Sequence, residues 1–256
     1  MPDPISRPLL DWEGCLNARD VGGLPVVGGG RIRCNALLRA DSFGHLTSAG
    51  VEAVRRCGAS RIIDLRYSGE GQPDAPHAAP HPFAEQELYR CIPLFEPGVL
   101  GIDPQLLAKL QATGTTGEIY CASVDHNGLR IAAAVSAIAL APPGPVVVHC
   151  AEGKDRTGIV IALALAVVGV DPQHIAEDYA ASAGLLASRF ADELATELNP
   201  HTRETLQRRH ATDPETILML LDHLESRYAG AASYLRIHGV DDAQLLALRA
   251  RLVTAE

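Results

Sequence analysis

The chain has 256 residues, of which 47% are apolar and 21% charged, and its net charge at neutral pH is −9. These values are ordinary for a globular protein and suffice for one α/β domain with a sizeable core over residues 1–256. The negative charge argues against nucleic acid or an anionic membrane as the partner of a broad surface. A single anionic ligand is still compatible, because the field of one loop is local.

The six cysteines are scattered without CxxC or zinc-type spacing, so a reducing compartment is the default. They are Cys15, Cys34, Cys57, Cys91, Cys121 and Cys150. The N-terminus has no basic segment followed by an apolar one, and the longest apolar run, at 158–170, has 13 residues. That run is too short to span a bilayer. We therefore expect a cytoplasmic protein without a Sec-type signal or membrane insertion.

The first part of the chain is predicted to form short strands and one helix. A glycine turn precedes a weakly alternating strand at 31–39, which would form a hairpin with the segment before it. Thr47 can cap a helix at 48–57. A buried strand at 61–66 follows, and then a proline-rich loop at 68–82.

Strands and helices continue to alternate through the middle of the chain. A strand is predicted at 88–94, and an Asp-Pro pair begins a helix at 103–112. An Ala-rich helix at 129–141 ends at prolines and precedes a buried strand at 146–148. This alternation predicts an α/β fold with a mostly parallel central sheet flanked by helices.

The last third of the chain is predicted to be wholly helical. Helix caps followed by a first-turn proline occur at Asp171, Asn199 and Asp213. A last helix runs from 241 to about 252. The helices at about 171–212, whose face is more charged over 182–210, form either a lid beside the loop described next or a cover for the core.

The segment VVVHCAEGKDRTGIV at 146–160 is the most informative stretch. A buried strand leads into a polar turn and then into a small-residue helix at 157–170. Such a loop directs backbone N–H groups into one concavity at the positive end of a helix dipole, which is an anion site. Cys150 supplies a nucleophile there, and Arg156 a bidentate phosphate clamp. Cys-x5-Arg in this setting is the signature of cysteine-dependent phosphatases.

Phosphoryl transfer requires positioning and charge stabilisation, and the loop residues suit both. As a thiolate, Cys150 can attack phosphorus and form a phosphocysteine. Arg156 can hold two equatorial oxygens. Gly153 permits close backbone approach, and Thr157 can hydrogen-bond the sulfur when it leaves. His149 is expected to orient the loop rather than to touch substrate.

Two carboxylates and a lysine complete the loop. Asp155, beside Arg156, can protonate the leaving oxygen and then activate water. Glu152 is expected to point to solvent. Lys154 suits a second phosphate or a carboxylate, unless its side chain is simply solvated. Ala151 is counted with the phosphate-binding loop.

These residues resemble the atypical bacterial protein tyrosine phosphatase family. The loop HCAEGKDRTG at 149–158 carries the resemblance most specifically. Other matching stretches are NARDVGG at 17–23, LLRAD at 37–41, IIDLR at 62–66 followed by Glu70, EDYAAS from 177 and YAGAASYLRIHGV at 228–240. Together they extend over most of the chain, from about 14 to 253.

The resemblance implies the cysteine-dependent phosphatase fold with a C-terminal helical lid. It also implies hydrolysis of phosphotyrosine, often with phosphoserine, phosphothreonine and phosphoinositides. It assigns the acid role to Asp155 and sets Asp64 and Arg66 beside the loop as a brace. One departure is Glu152, whose carboxylate beside a bound dianion would weaken polyanionic lipid substrates.

Other functions fit the loop less well. Nucleotide binding of the Walker type fails, because Lys154 is followed by Asp155 and Val148 stands where a glycine is required. The Asp-Arg-Thr ending disfavours a rhodanese-type sulfurtransferase. The remaining alternatives are a phosphoinositide-directed phosphatase and a catalytically weak phospho-binding module.

No cofactor or metal ion is expected. The histidines at 77, 81, 126, 201, 210, 223 and 238 show no ligand spacing, and we expect them to be solvated. The expected partner is a phosphorylated protein or a phosphoinositide, not nucleic acid. If Asp155 is not the acid, the rival carboxyl groups are Glu96, Asp103 and Asp64.

Overall fold

A computed structural model describes residues 9–67, 81–94, 105, 108 and 114–254 of the protein. Its main sheet contains five strands: β1 (Arg19–Asp20), β3 (Leu37–Ala40), β4 (Arg61–Asp64), β5 (Tyr89–Cys91) and β6 (Val146–His149). Their order is β1-β3-β6-β4-β5. All neighbours run parallel except β1, which lies antiparallel to β3 at one edge. The prediction of a mostly parallel α/β sheet is confirmed.

The described residues form ten α-helices around this sheet. They are α1 (Ser48–Arg56), α2 (Thr116–His126), α3 (Gly128–Ala139), α4 (Asp155–Val168), α5 (Pro172–Leu185), α6 (Ala187–Thr196), α7 (Pro200–His210), α8 (Pro214–Tyr228), α9 (Ala231–Ile237) and α10 (Asp242–Leu252). The three predicted proline starts are confirmed, because α5, α7 and α8 begin at those prolines. The helix predicted at 103–112 lies almost entirely outside the described residues.

Strand alternation divides the core into two layers. Leu38 and Val147 point to one face, where they pack with Trp12, Phe43 and Val54 of α1. The neighbouring residues of the same strands point to the other face, as successive side chains of a strand must. There they join a larger cluster that includes residues of α2 to α5 and α8 to α10. Helix α4 lies within this cluster and is apolar nearly all round, as expected for a buried helix.

The prediction of one strand over 31–39 is wrong. Asn35 adopts a left-handed conformation with φ 58°, and this turn separates β2 (Arg31–Ile32) from β3. Strand β2 leaves the main sheet and pairs antiparallel with β7 (Val253–Thr254). Because β7 follows α10, the last third of the chain is also not wholly helical.

The central strand β6 positions the loop that follows it. Val147 pairs with Leu38 on one side and with Ile62 on the other, so β6 is enclosed by neighbours within the sheet. Helix α4 begins at Asp155, two residues before the predicted start, and ends at Gly169 with φ 90°. The residues between β6 and α4, from 150 to 154, form what we call the phosphate loop. It lies at the carboxyl edge of the sheet, where α/β folds bind ligands.

A buried ionic cluster joins helix α5 to the strands beside the loop. Arg19 Nε lies 3.1 Å from Asp178 Oδ1, and Arg39 Nη1 binds Asp178 Oδ2. All three side chains are 1% exposed. Asp178 thus pairs with two buried guanidinium groups through its two oxygens, and the cluster ties β1 and β3 to α5.

We expect Asp178→Ala to lower the free energy of unfolding by about 3–5 kcal/mol, because it removes the carboxylate that two buried guanidinium groups share. Urea denaturation measures the change. The matched control is Asp242→Ala, which breaks the exposed 2.8 Å pair with Arg236 and should cost less than about 1 kcal/mol. Equal losses of unfolding free energy in the two variants would contradict a stabilising role of the buried cluster.

Among the described residues, no helix is both long enough and apolar enough to cross a membrane.

Candidate active site

Cys150 stands at the end of β6, and its side chain is 2% exposed. The phosphate loop turns beside it and enters α4, so that Arg156 and Thr157 lie in the first turn of that helix. First-turn N–H groups have no acceptor within their own helix and form its positive end. The loop that begins at Cys150 therefore leads into the positive end of a helix dipole.

Gly153 determines how closely the loop lies against the sheet. Its φ is 65°, in the left-handed region. A Cβ built on it would lie 2.2 Å from the carbonyl oxygen of Ala40, at the end of β3. No other residue can occupy this position without displacing the loop, as the sequence predicted for a close backbone approach.

Three successive carbonyl groups of the loop are bonded to the surrounding scaffold. The backbone N–H of Ser42 donates to Ala151 O at 2.9 Å. Asn17 Nδ2 donates to Glu152 O at 2.8 Å. Arg39 Nη2 donates to Gly153 O at 2.6 Å.

The orientation of the loop amides follows from these bonds. The C=O and N–H of one trans peptide point in opposite directions. The N–H groups of residues 152–154 therefore point away from the scaffold. Successive N–H groups that are free of the scaffold can form an anion-binding concavity.

Asp64 and Arg66 lie beside the loop, where they were predicted to brace it. Arg66 Nη2 and Nε donate to the Asp64 carboxylate at 2.8 and 3.0 Å, and Arg66 Nη1 donates to Ser42 Oγ at 2.9 Å. Burial opposes ionisation of Asp64, but the hydrogen bonds and the positive charge of the Arg66 guanidinium hold the pKa of its carboxyl well below the usual range. The fixed pair thus holds Ser42, whose backbone bonds Ala151.

A chain of hydrogen bonds reaches the nucleophile from behind. The Phe83 N–H donates to His81 Nδ1 at 3.2 Å, and His81 Nε2 lies 3.0 Å from His149 Nε2. His149 Nδ1 lies 3.4 Å from the carbonyl oxygen of Cys150. Because an amide can only donate and a carbonyl can only accept, His81 carries its proton on Nε2 and His149 on Nδ1. His149 is thereby oriented toward Cys150.

The two imidazoles are neutral in this arrangement. Burial lowers the pKa of His81 to about 3, and burial also lowers the pKa of His149. The expectation that His81 is solvated is wrong, because its ring stacks on Phe43 and forms the bond to His149. The same expectation is wrong for His210, which is buried and stacks on Phe190 at 3.9 Å. His77 lies outside the described residues.

Asp64, His81 and His149 also bring three potential metal-ligand atoms within 4.8 Å of one another. The ring nitrogens that face each other are already joined by a hydrogen bond. Asp64 Oδ2 accepts from both Arg66 and Tyr89, at 2.8 and 3.0 Å. A cation placed there would meet the guanidinium, so these side chains suit hydrogen bonding better than a metal ion.

Asp155 lies at the mouth of the loop with 38% of its side chain exposed. The Tyr120 hydroxyl donates to Asp155 Oδ1 at 2.5 Å, and Lys154 Nζ lies 3.3 Å from the same oxygen. The expectation that Glu152 points to solvent is not met. Its side chain is half-buried, and burial together with Asp155 raises the pKa of its carboxyl.

Lys154 is buried, so a solvated side chain is the wrong expectation. Its ammonium donates to the carbonyl oxygen of Arg209 and lies 3.4 Å from that of Ala211, at the end of α7. It also lies 5.9 Å from the centre of the Phe190 ring in α6. Lys154 therefore connects the phosphate loop to both helices.

Thr157, in the first turn of α4, has a side-chain hydroxyl without a hydrogen-bond partner among the described residues. The oxygen of this hydroxyl, Oγ1, is buried. A hydroxyl in that state is costly unless it finds an acceptor. A sulfur at position 150 is the acceptor that the sequence predicted for it.

Several site residues were not predicted from sequence as functional groups. Asn17 and Arg39 lie in stretches that carry the family resemblance, but nothing in the pattern says that their side chains bond loop carbonyls. Tyr120 has no sequence signal, because it lies in α2, 30 residues before Cys150. Tyr179 belongs to the matching segment from 177, where helical spacing predicts only a core position.

The fold and this loop define a cysteine-dependent phosphatase. The sequence matches the tyrosine phosphatase family over residues 10–254. It is 29% identical over 231 residues to a tyrosine-protein phosphatase of Nostoc commune, a match that includes 86% of this chain and 75% of that protein. It is 27% identical over 282 aligned residues to the triple specificity protein phosphatase PtpB of Mycobacterium tuberculosis, with 96% and 99% of the two chains included. The chain belongs to the tyrosine phosphatase family.

The neutral His81 makes stability depend on pH. Between the ordinary value of 6.5 and the folded pKa of about 3, the unfolded chain binds the proton that folded His81 does not. The free energy of unfolding should therefore decrease as pH falls through this window, by at most about 1.4 kcal/mol per pH unit for one imidazole. His81→Gln keeps a donor for His149 without titrating and should give a shallower slope.

Urea titrations between pH 6.5 and about 5.5 measure this slope with little contribution from carboxyl groups. His126→Gln, at an exposed histidine of α2, is the control for loss of an imidazole without burial. A His81→Gln slope as steep as that of the wild type would contradict the prediction.

Proposed function

We propose that this enzyme hydrolyses phosphotyrosine with Cys150 as nucleophile and Arg156 as the clamp on the phosphate. The observation that carries the proposal is the state of the loop beside Cys150. Its carbonyl groups at 151–153 are bonded to the scaffold, which leaves the next three N–H groups directed away from it. A dianionic phosphate fits such a set of donors at a helix N-terminus.

The chemistry has two steps on this loop. In the first, the Cys150 thiolate attacks phosphorus, the bond from phosphorus to the phenolic oxygen breaks, and Asp155 gives its proton to that oxygen. In the second, Asp155 takes a proton from water as the water attacks phosphorus and the phosphorus–sulfur bond breaks. The Thr157 hydroxyl stabilises the departing thiolate, and the products are tyrosine and inorganic phosphate.

The helices α6 and α7 form a lid over this site in our proposal, within the 171–212 segment of a single domain. Two contacts support it. Lys154 of the loop binds the end of α7, and Arg189 of α6 donates to Asp41 at 2.7 Å, next to the scaffold residue Ser42. Movement of these helices would uncover the loop, and it would require both contacts to break.

The substrate range of the proposal is phosphotyrosine first, with other phosphorylated side chains as wider substrates. The triple specificity in the name of the Mycobacterium relative supports a wider range. A phosphoinositide is less favoured, because the Lys154 ammonium that would take a second phosphate is engaged by Arg209 and Ala211 carbonyls. Burial and the neighbouring Asp155 raise the pKa of Glu152, which indicates that this position already disfavours negative charge. A ligand with several phosphate groups is therefore disfavoured as well. A net charge of −9 disfavours nucleic acid.

Cys150→Ser should reduce turnover of an aryl phosphate to less than about 1% of the wild-type rate, because a serine hydroxyl is a far weaker nucleophile here. The variant should still bind tungstate, a phosphate mimic, which a thermal shift measures through ligand stabilisation. Cys34→Ser, at an exposed cysteine, is the matched control and should keep wild-type turnover. Equal turnover in Cys150→Ser and wild type would refute the nucleophile, and a wild type that binds but does not turn over would indicate a phospho-binding module.

Asp155→Asn should slow phenyl phosphate by about 10²-fold or more, because a phenolate leaving group needs the proton. It should slow an activated aryl phosphate, such as one with a nitrophenol leaving group, much less. The measurement is kcat/KM for both substrates. Equal slowing of the two substrates would remove Asp155 from the acid role, and the same comparison with Glu96→Gln and Asp103→Asn would then identify the acid.

A further inference from the structure

Tyr120 reaches the proposed acid from a helix that contributes no loop residue. It lies in α2 and is 4% exposed, and its hydroxyl oxygen is 2.5 Å from Asp155 Oδ1. The same hydroxyl is 3.1 Å from that of Tyr179 in α5, which is 1% exposed. Two buried phenols thus form a line that ends on the carboxyl group.

The direction of the hydrogen bonds in this line is determined by the phenols. Burial and the nearby Asp155 raise the pKa of Tyr120 well above its ordinary value, and the same two causes raise that of Tyr179. Both hydroxyl groups therefore keep their protons. Tyr120 donates to Asp155 Oδ1, and its own oxygen can accept from Tyr179.

Packing contacts hold the rings of Tyr120 and Tyr179 in place. Their rings meet edge to face, with an interplanar angle of 80°. Tyr179 also lies directly over Gly158 of α4, where an added Cβ would approach its ring within 3.0 Å. The absence of a side chain at 158 lets Tyr179 pack close to the helix that carries Asp155.

The contacts distinguish the two oxygens of Asp155. Tyr120 and Lys154 both approach Oδ1. The hydrogen bond from Tyr120 and the nearby Lys154 ammonium both stabilise negative charge on Oδ1, which leaves the transferable proton to Oδ2. Rotation of the carboxyl group would exchange the two oxygens, and the bond to Tyr120 opposes that rotation.

We propose that Tyr120 is a positioning residue, which holds Asp155 so that Oδ2 presents its proton to the leaving oxygen, with Tyr179 supporting Tyr120. This inference rests on the proposed role of Asp155 as general acid. In this proposal Tyr120 acts through Asp155 and not on the nucleophile or the phosphate. Its effect should therefore appear only where the leaving group needs a proton.

The test is Tyr120→Phe, assayed as kcat/KM on phenyl phosphate and on nitrophenyl phosphate. We expect a loss of about tenfold or more on phenyl phosphate, which corresponds to one misplaced proton donor, and a loss of less than about threefold on the activated ester. Tyr179→Phe should show the same pattern with a smaller loss, because Tyr120 can still donate. This second variant leaves the bond to Asp155 intact and keeps the test open if Tyr120→Phe does not fold.

The matched control is Tyr234→Phe. Tyr234 is also fully buried, and its hydroxyl donates to the carbonyl oxygen of Val124 in the same helix α2, at 2.6 Å. The control removes an equivalent buried bond to α2 without a path to Asp155. It should lower stability while it slows the two substrates equally, if it slows them at all.

A double variant separates positioning from a structural role. If Tyr120 acts through Asp155, then Tyr120→Phe in the Asp155→Asn background should add no further loss that depends on the leaving group. A full, additive loss in that background, or equal slowing of both substrates by Tyr120→Phe alone, would overturn the inference. If Asp155→Asn itself shows no leaving-group dependence, the proposed acid and this inference both fail. Leaving-group dependence in Asp155→Asn without any in Tyr120→Phe overturns only the inference.

Discussion

The buried pairing of Asp178 with Arg19 and Arg39 is the interaction on which the site depends. The carboxylate is shared by two buried guanidinium groups, and its removal should cost several kcal/mol. With the carboxylate in place, Arg39 is held where its other nitrogen donates to Gly153 O, and Arg19 also binds Ser182, the partner of Asn17. The cluster that joins α5 to the sheet therefore supplies Arg39 as one donor to the loop and helps to position Asn17 as a second. It couples the stability of the fold to the geometry of the loop.

The conformation of the phosphate loop depends on hydrogen bonds from distant residues as much as on its own sequence. Its carbonyl groups bond residues that precede it by more than a hundred positions, at Asn17, Arg39 and Ser42. On the other side, the neutral His81–His149 pair supports the carbonyl of Cys150. Because a peptide that is bonded through its carbonyl cannot turn freely, each of these bonds also fixes the direction of the N–H group of the next residue. The loop is pre-organised before any anion binds.

Lys154 and Asp155 connect the phosphate loop and the start of α4 to other helices. Adjacent in sequence, they share one contact, between Nζ and Oδ1, and then diverge. Lys154 turns to the carbonyl end of α7, where a cation is favoured by the helix dipole, and Asp155 turns to Tyr120. A change in the position of α7 would alter the charge beside the proposed acid. In our proposal, the position of the lid and proton transfer by Asp155 are therefore linked through one pair of neighbouring side chains.

The sequence by itself determined the parallel α/β sheet, the proline-started helices and the strand–loop–helix that carries Cys150, because these follow from local periodicity, caps and turn chemistry. It also indicated Gly153, since only glycine permits that approach. Only the tertiary structure decided that Lys154 and His81 are buried and that Tyr120 meets Asp155. Those facts depend on contacts between segments far apart in the chain, and a residue's own neighbours in sequence carry no information about which distant helix or strand will cover it.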